Sequence, residues 1–269
     1  MDLGIFTFAS SSSGNCYLIR SETTNIMVDV GITGKAISSN LEFISLRAKR
    51  LNAFLLTHEH IDHIRGIHMM ARHNTMAPFY ASEGTINAII EKEVAVDYDR
   101  LVVAKGGWDF MIGDIKVTPF NVSHDTAEPL AYSFERNGKK IAIVTDTGYV
   151  SDEIFENIKD ADILVLEANH ERNILLYGRY PYNVKHRILG DKGHLSNEAA
   201  GQCLVRMLQY LDGKKAPLVL LAHLSQENNT PEQAQITIRN ILEEAGYYVG
   251  KDLKMEVVEK NAVSRLMAL

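Results

Sequence analysis

The sequence predicts a layered α/β fold, and three observations predict it. Apolar runs of strand length recur along the chain, among them Leu51 to Leu56, Ile141 to Val144, Ile163 to Leu166 and Leu218 to Ala222. Between them lie longer segments whose apolar residues repeat at helical spacing, as Ala199, Ala200, Cys203, Leu204, Met207 and Leu208 do. Several runs also stop at single polar residues, and in layered α/β proteins the loops at strand ends build the site.

In chain order, Leu3 to Phe8, Asn15 to Arg20 and Asn25 to Val30 are β-favouring runs separated by short turns. The turn from Ser10 to Asn15 can offer N–H groups and hydroxyls to an anion, with Ser12 and Asn15 as candidate substrate-binding residues, or can be a flexible turn and nothing more. Asp29 ends the third run. It either orients a metal-binding imidazole from behind or caps a helix expected over Lys35 to Arg47.

The apolar run to Leu56 leads into Thr57-His58-Glu59-His60-Ile61-Asp62-His63, three imidazoles and a carboxylate within six residues. Ile64, Ile67, Met70 and Ala71 follow at helical spacing, with Asp62 expected to cap that helix. Residues two apart in an extended segment point the same way, so His58 and His60 share a side, and the turn into the helix carries Asp62 and His63 to a neighbouring direction. His68 and His73 read as surface or packing histidines. A helix from about Ser82 to Glu91 and strands near Leu101 to Ala104 and Ile115 to Val122 come next.

Four further runs end at chemistry-bearing residues: His124 after Ile115 to Val122, Asp146 after Ile141 to Val144, Glu167 after Ile163 to Leu166, and His223 after Leu218 to Ala222. Taken with the histidine corner they form one set, and a two-metal centre accounts for it. His58, His60 and His124 would hold one ion, and Asp62, His63 and His223 the other, with Asp146 and a hydroxide bridging. Imidazole with carboxylate suits zinc, manganese or iron without choosing among them. Two such ions supply a nucleophilic hydroxide at neutral pH and stabilise entering and leaving oxygens.

Composition narrows the class. The 269 residues, 46% hydrophobic and 23% charged, are those of an ordinary globular protein. A net charge of −6 argues against broad nucleic-acid coating but leaves room for a local basic patch. Cys16 and Cys203 are too few for a disulfide framework. Met1-Asp2-Leu3-Gly4 opens without a basic leader, and no apolar run reaches membrane-spanning length. A cytoplasmic protein with no membrane partner is expected.

The set His58, His60, Asp62, His63, His124, Asp146 and His223 resembles the metallo-β-lactamase superfamily, and the resemblance covers nearly the whole chain. It implies a four-layer αβ/βα sandwich of two mostly antiparallel β-sheets flanked by helices, a single domain over 1–269. Asp62 ahead of His63, Leu166-Glu167-Ala168, Gly193-His194-Leu195-Ser196 and Ala222-His223-Leu224-Ser225 resemble the nuclease branch. Ser12 to Ile19 is most similar to the YycJ/WalJ-type exonucleases. The interval 147–222 is too short for the β-CASP insertion of larger nucleases.

By this resemblance the chain is a binuclear metal-dependent phosphodiesterase, a 5′-to-3′ DNA exonuclease, with Asp62, His194 and Glu167 as catalytic residues. His194 would contact the scissile phosphate or protonate the leaving oxygen, with Glu167 tuning it; a helix-capping histidine is the simpler reading. Repair proteins would be partners by family analogy only. Substrate contacts are expected from the segment His170 to His194, where Arg172, Arg179, Lys185, Arg187 and Lys192 are interleaved with Tyr177, Tyr180 and Tyr182. A solvated surface loop is the alternative, and His170 and His186 read as bystanders. Ser196 would cap the next helix, whose N-terminus favours an anion. Thr230-Pro231-Glu232-Gln233 is a capping box that starts a scaffold helix ended by Gly246. A thioesterase or lactonase of the same fold, and a non-catalytic nucleic-acid-binding module, are the competing functions.

Overall fold

The computed structural model describes residues 2–260 and 262–269. The first strands, β1 (Gly4–Ser11) and β2 (Gly14–Arg20), form a hairpin whose turn is only Ser12 and Ser13, within the expected turn from Ser10 to Asn15. β3 (Asn25–Val28), α1 (Gly34–Phe43) and β4 (Ala53–Leu55) follow, with Thr33 capping α1 through the Ala36 N–H. The histidine corner leads into a single turn, α2 (Ile61–Ile64), and then α3 (Ile67–His73). Asp62 lies inside α2 and does not cap it; His60 holds the cap position.

The chain continues through β5 (Phe79–Ala81), α4 (Glu83–Glu91), β6 (Leu101–Val103), β7 (Phe110–Ile112), β8 (Ile115–Asn121) and β9 (Leu130–Arg136). After β10 (Lys139–Val144), α5 (Asp152–Ile158) and β11 (Ile163–Glu167) come two short helices, α6 (Arg172–Tyr177) and α7 (Tyr182–Leu189), in the segment expected as a loop. Each spans about two turns, too short for helical periodicity to be legible. α8 (Asn197–Leu211), β12 (Leu218–Ala222), α9 (Pro231–Glu244), β13 (Lys254–Val257) and β14 (Met267–Ala268) complete the order. Ser196 caps α8 and Thr230 caps α9.

The strands form two sheets flanked by helices. Both are mixed where mostly antiparallel sheets were expected, because helices cross over between successive strands and return the chain in the same direction. The contacts divide the chain into two compact units. The first holds residues 1–121, 126–139 and 259–269. Its seven-stranded sheet runs β14-β1-β2-β3-β4-β5-β6, antiparallel from β14 to β3 and parallel from β3 to β6. Its core includes Phe8, Leu18, Met27, Ile37, Phe54, Met70 and Phe79, with the Phe54 and Phe79 rings stacked at 4.4 Å.

The second unit holds residues 122–125 and 140–258. Its strands β10 to β13 are all parallel and in order, the pattern expected of runs buried on both faces. Leu164, Leu166, Val219 and Leu221 are fully buried there, and α8 packs against α9 with Gly201 directly under Ile241. Both cysteines are buried thiols, and burial pushes Cys203 up to about 12 and Cys16 well above its usual range. Among the described residues, no helix is long and apolar enough to cross a membrane.

One side chain fixes the lower part of the first unit. Arg100 donates to the carbonyls of Ala71, Asn74 and Ala77 at 3.0, 2.7 and 3.0 Å, while its guanidinium lies 5.0 Å over the Phe79 ring. Arg100→Met leaves those carbonyls without their shared donor. The replacement should lower unfolding free energy in urea by about 2–4 kcal/mol.

Candidate metal centre

In the first unit the corner is built on a buried carboxylate. Asp29 follows β3 with φ 56°, a left-handed backbone that a non-glycine residue adopts at some cost. It is wholly buried. Its Oδ1 accepts the Thr57 N–H at 2.8 Å, and its Oδ2 accepts from His63 Nδ1 at 2.7 Å. Asp29 thus orients an imidazole, and the helix-capping alternative falls away because Thr33 caps α1. A carboxylate can only accept, so the His63 proton sits on Nδ1 and its Nε2 carries the lone pair.

Thr57 sets the neighbouring ring by the same logic. Its hydroxyl donates to Asp29, and His58 Nδ1 lies 3.0 Å from the same oxygen. The His58 ring stands 4.8 Å from His60 and 4.0 Å from His63, centroid to centroid. Three imidazoles are gathered here, with Asp62 Oδ2 3.5 Å from His63 Nε2. Asn15 is fully buried and its Nδ2 approaches His63 Nε2 at 3.1 Å, which places it against the histidines and away from solvent. Ser12 is exposed at the hairpin turn. Gly31 lets α2 come close: a Cβ there would fall 1.6 Å from the Asp62 carbonyl oxygen.

The second unit repeats the device around Glu167, the last residue of β11. Its Oε1 accepts from His194 Nδ1 at 2.8 Å and from His223 Nδ1 at 2.9 Å. Its Oε2 accepts the N–H groups of Thr147 and Leu195. Complete burial pushes the carboxyl upward, but the two histidines and their hydrogen bonds outweigh it and hold Glu167 below the ordinary carboxylate range. His124 Nδ1 lies 3.1 Å from the Gly193 carbonyl, which can only accept. The Nε2 lone pairs of His124 and His223 therefore face Asp146 Oδ1, at 3.8 and 3.4 Å. His194 Nδ1 stands 3.7 Å from that same oxygen.

Two imidazole lone pairs directed at one carboxylate oxygen repel unless a cation stands among them. That donor chemistry fits a divalent ion. Asp146, Glu167, His194 and His223 each offer a ligand atom within 4.8 Å of the others. Asp146 and His223, with φ of 58° and 55°, hold left-handed backbones at strand ends as Asp29 does. The basic residues lie on the short helices: Arg172 in α6, Lys185 and Arg187 in α7, Arg179 between them and Lys192 beyond, all exposed except half-buried Lys185. Arg187 pairs with Asp125, beside His124, at 3.1 Å, and Lys185 donates to the Leu176 carbonyl at the end of α6.

The sequence points to Asn15 only as a substrate contact and to no role for Thr57 or Asn169. Thr57 holds Asp29 and His58 through its N–H and hydroxyl, and Asn15 reaches His63. Asn169 donates to the His223 carbonyl at 2.9 Å, tying that turn to β11. His170 is 1% exposed, with neither ring nitrogen hydrogen-bonded, and burial lowers it to about 4. The isolated bridge between His170 and Ser196 places it beside the start of α8.

A model of the β-lactamase superfamily domain matches residues 24–223. The exodeoxyribonuclease YycJ of Bacillus anthracis is 38% identical over 251 residues, covering 93% of each chain. The chain belongs to the metallo-β-lactamase superfamily. The exodeoxyribonuclease WalJ of Streptococcus pneumoniae is 39% identical over 249 residues, 92% of this chain and 91% of that one. Among solved structures, the metallo-β-lactamase fold protein YhfI of Bacillus subtilis superposes with a TM-score of 0.72 at 15% identity, covering 98% of this chain and 99% of its own. That likeness concerns the fold.

Two outcomes follow from the buried groups. Asp29→Ala removes the partner of His63 Nδ1, and zinc or manganese affinity measured by calorimetry should fall about 10–100-fold. His170, depressed when folded, binds a proton more readily once unfolded. Its neutral burial therefore favours the fold above its ordinary pKa of 6.5, and that contribution is lost as pH falls from there toward about 4. In His170→Phe, the slope of unfolding free energy against pH in EDTA should be flatter across that window.

Proposed function

We propose that the chain is a metal-dependent phosphodiesterase acting on DNA, an exonuclease working from the 5′ end. The observation that carries this reading is identity of 38–39% over more than nine-tenths of the chain with proteins named exodeoxyribonucleases. The donor sets around Asp29 and Glu167 support it chemically. We take residues 1–269 as one catalytic domain, with His58, His60, His124, Asp62, His63, His223 and Asp146 holding two divalent ions, manganese or zinc, with iron the third candidate. Such ions, when bound, activate water for attack on phosphorus and offset charge on the phosphate.

The remaining roles belong to the chain's own groups. Glu167 fixes the His194 ring through Nδ1; the doubly protonated ring carries a second N–H at Nε2, and that proton would pass to the departing sugar oxygen. Asp29 and Thr57 keep the His63 and His58 rings in one tautomer and one orientation. Arg172, Arg179, Lys185, Arg187 and Lys192, with exposed Tyr177 and Tyr182 among them, would meet phosphates and bases. Ser196 and the start of α8 would receive a phosphate, and Ser12 at the hairpin tip is a second contact. A thioesterase has no use for that basic surface.

The test uses purified protein, manganese and end-labelled duplex DNA, with a thioester and a lactone assayed alongside. The wild-type chain should release nucleotides from DNA alone, in order from the 5′ end. Asp62→Ala should abolish release, and His194→Ala should lower kcat about 10²–10⁴-fold. Hydrolysis of the thioester or lactone with DNA left intact would replace this function with the carbonyl-directed one. DNA binding with no turnover of any substrate would favour a binding module.

A further inference from the structure

Two cations of the first unit meet the histidine corner, and the roles given above use neither. Lys92 Nζ donates to the carbonyl of Glu59, the residue between His58 and His60, at 3.4 Å. Arg65 stands two positions past His63, and its Nη1 donates to the Ser13 carbonyl at 3.1 Å. One cation is therefore fixed near each end of the corner, and both are exposed.

What holds them distinguishes them from other fixed cations of the unit. Arg136 ends on Asp2 and Asp114, and Lys116 on Asp109. Arg100 ends on three carbonyls, which with the Phe79 ring occupy its guanidinium. Arg65 and Lys92 each meet one carbonyl, and among the described residues no carboxylate lies within ion-pair distance of either. A carbonyl orients a cation without cancelling its charge. A guanidinium carries five N–H groups, so one bond to Ser13 leaves most of the fork for a phosphate.

Arg65 is also built into the frame that positions His63. The Val30 N–H donates to the His63 carbonyl at 2.8 Å, and the Val30 carbonyl accepts the Gly66 N–H at 2.7 Å. The backbone is thus pinned on both sides of Arg65. Glycine at 66 permits this approach, since a Cβ there would fall 2.7 Å from the Ile32 carbonyl oxygen. The turn that receives the guanidinium is fixed as well. Asn15 Nδ2 donates to the Ser11 carbonyl at 3.1 Å, and the Ser11 and Ser13 hydroxyls lie 2.8 Å apart. Exposed Ser12 belongs to the same turn. A cation held in this way gives up less freedom on binding than one on an untethered side chain.

A strand being cleaved needs phosphates held beside the attacked one, and the contacts assigned so far leave this unit only Ser12. We propose that Arg65 and Lys92 each bind a backbone phosphate of the DNA next to the scissile one. Arg65 does so as a fork beside the Ser12 hydroxyl, and Lys92 as a point charge. This rests on the exonuclease reading and gives the first unit its part in gripping the strand.

Anisotropy of a labelled short duplex, titrated with the full chain in EDTA between about 50 and 200 mM salt, reads binding without turnover. Arg65→Gln and Lys92→Gln should each weaken binding about tenfold and reduce the slope of log K against log salt by about one. Lys49→Gln removes an exposed charge ahead of β4, at the strand end away from the corner, and should change neither. Duplexes with one neutral methylphosphonate at a time then locate the phosphates. One such linkage should weaken the wild type and leave Arg65→Gln unaffected, and another should do the same for Lys92→Gln. Circular dichroism reports that each variant is folded. Losses no larger than that of Lys49→Gln, or methylphosphonate effects that persist at every position in both variants, would overturn the proposal, and manganese-dependent cleavage by the wild type would leave the nuclease reading standing. A wild-type chain that neither binds nor cleaves DNA sinks both.

Discussion

Two buried carboxylates decide which nitrogen of the site's histidines is left to bind anything. Asp29 takes the Nδ1 proton of His63, and Glu167 takes those of His194 and His223. A neutral imidazole has one donor and one acceptor, so capturing the donor on one side commits the lone pair to the other. Thr57 and the Gly193 carbonyl do the same for His58 and His124. The donor chemistry is set by hydrogen bonds that need no ion.

The same constraint explains the backbone. Asp29, Asp146 and His223 all leave parallel strands with positive φ, and each is a non-glycine residue. The other non-glycine residues with such angles, Ser45, Glu93, Asn137 and Asp212, follow helices or turn between strands, where the left-handed region is ordinary. At the strand ends it serves to swing a side chain sideways off the sheet. Strain of this kind costs of order 1–3 kcal/mol per residue and persists only where the surroundings hold it. Here the hydrogen bonds to Asp29 and the four-donor cradle of Glu167 do that holding.

Much of this was legible in the sequence because chemistry and periodicity coincide. Runs such as Ile141 to Val144 and Leu218 to Ala222 announce buried parallel strands, and the residues just past them stand out as polar interruptions. The cap boundaries at Ser196 and Thr230 were readable because capping is a local interaction. What stayed hidden depends on distance along the chain. Asn15 reaches His63 across 48 positions, and Asn169 reaches His223 across 54. α6 and α7 were hidden for another reason: two turns of helix leave no period to count. Asp62 misled as a cap because a one-turn helix leaves two candidates, His60 and Asp62, only two positions apart.

The burial of both thiols has a practical consequence. Cys16 and Cys203 are enclosed by the core and held in their protonated form, which makes them poor nucleophiles. A cysteine introduced on α6 or α7 would then be the one reactive handle on the native chain. A fluorophore attached there could report the approach of a nucleic acid without a cysteine-free background having to be built first.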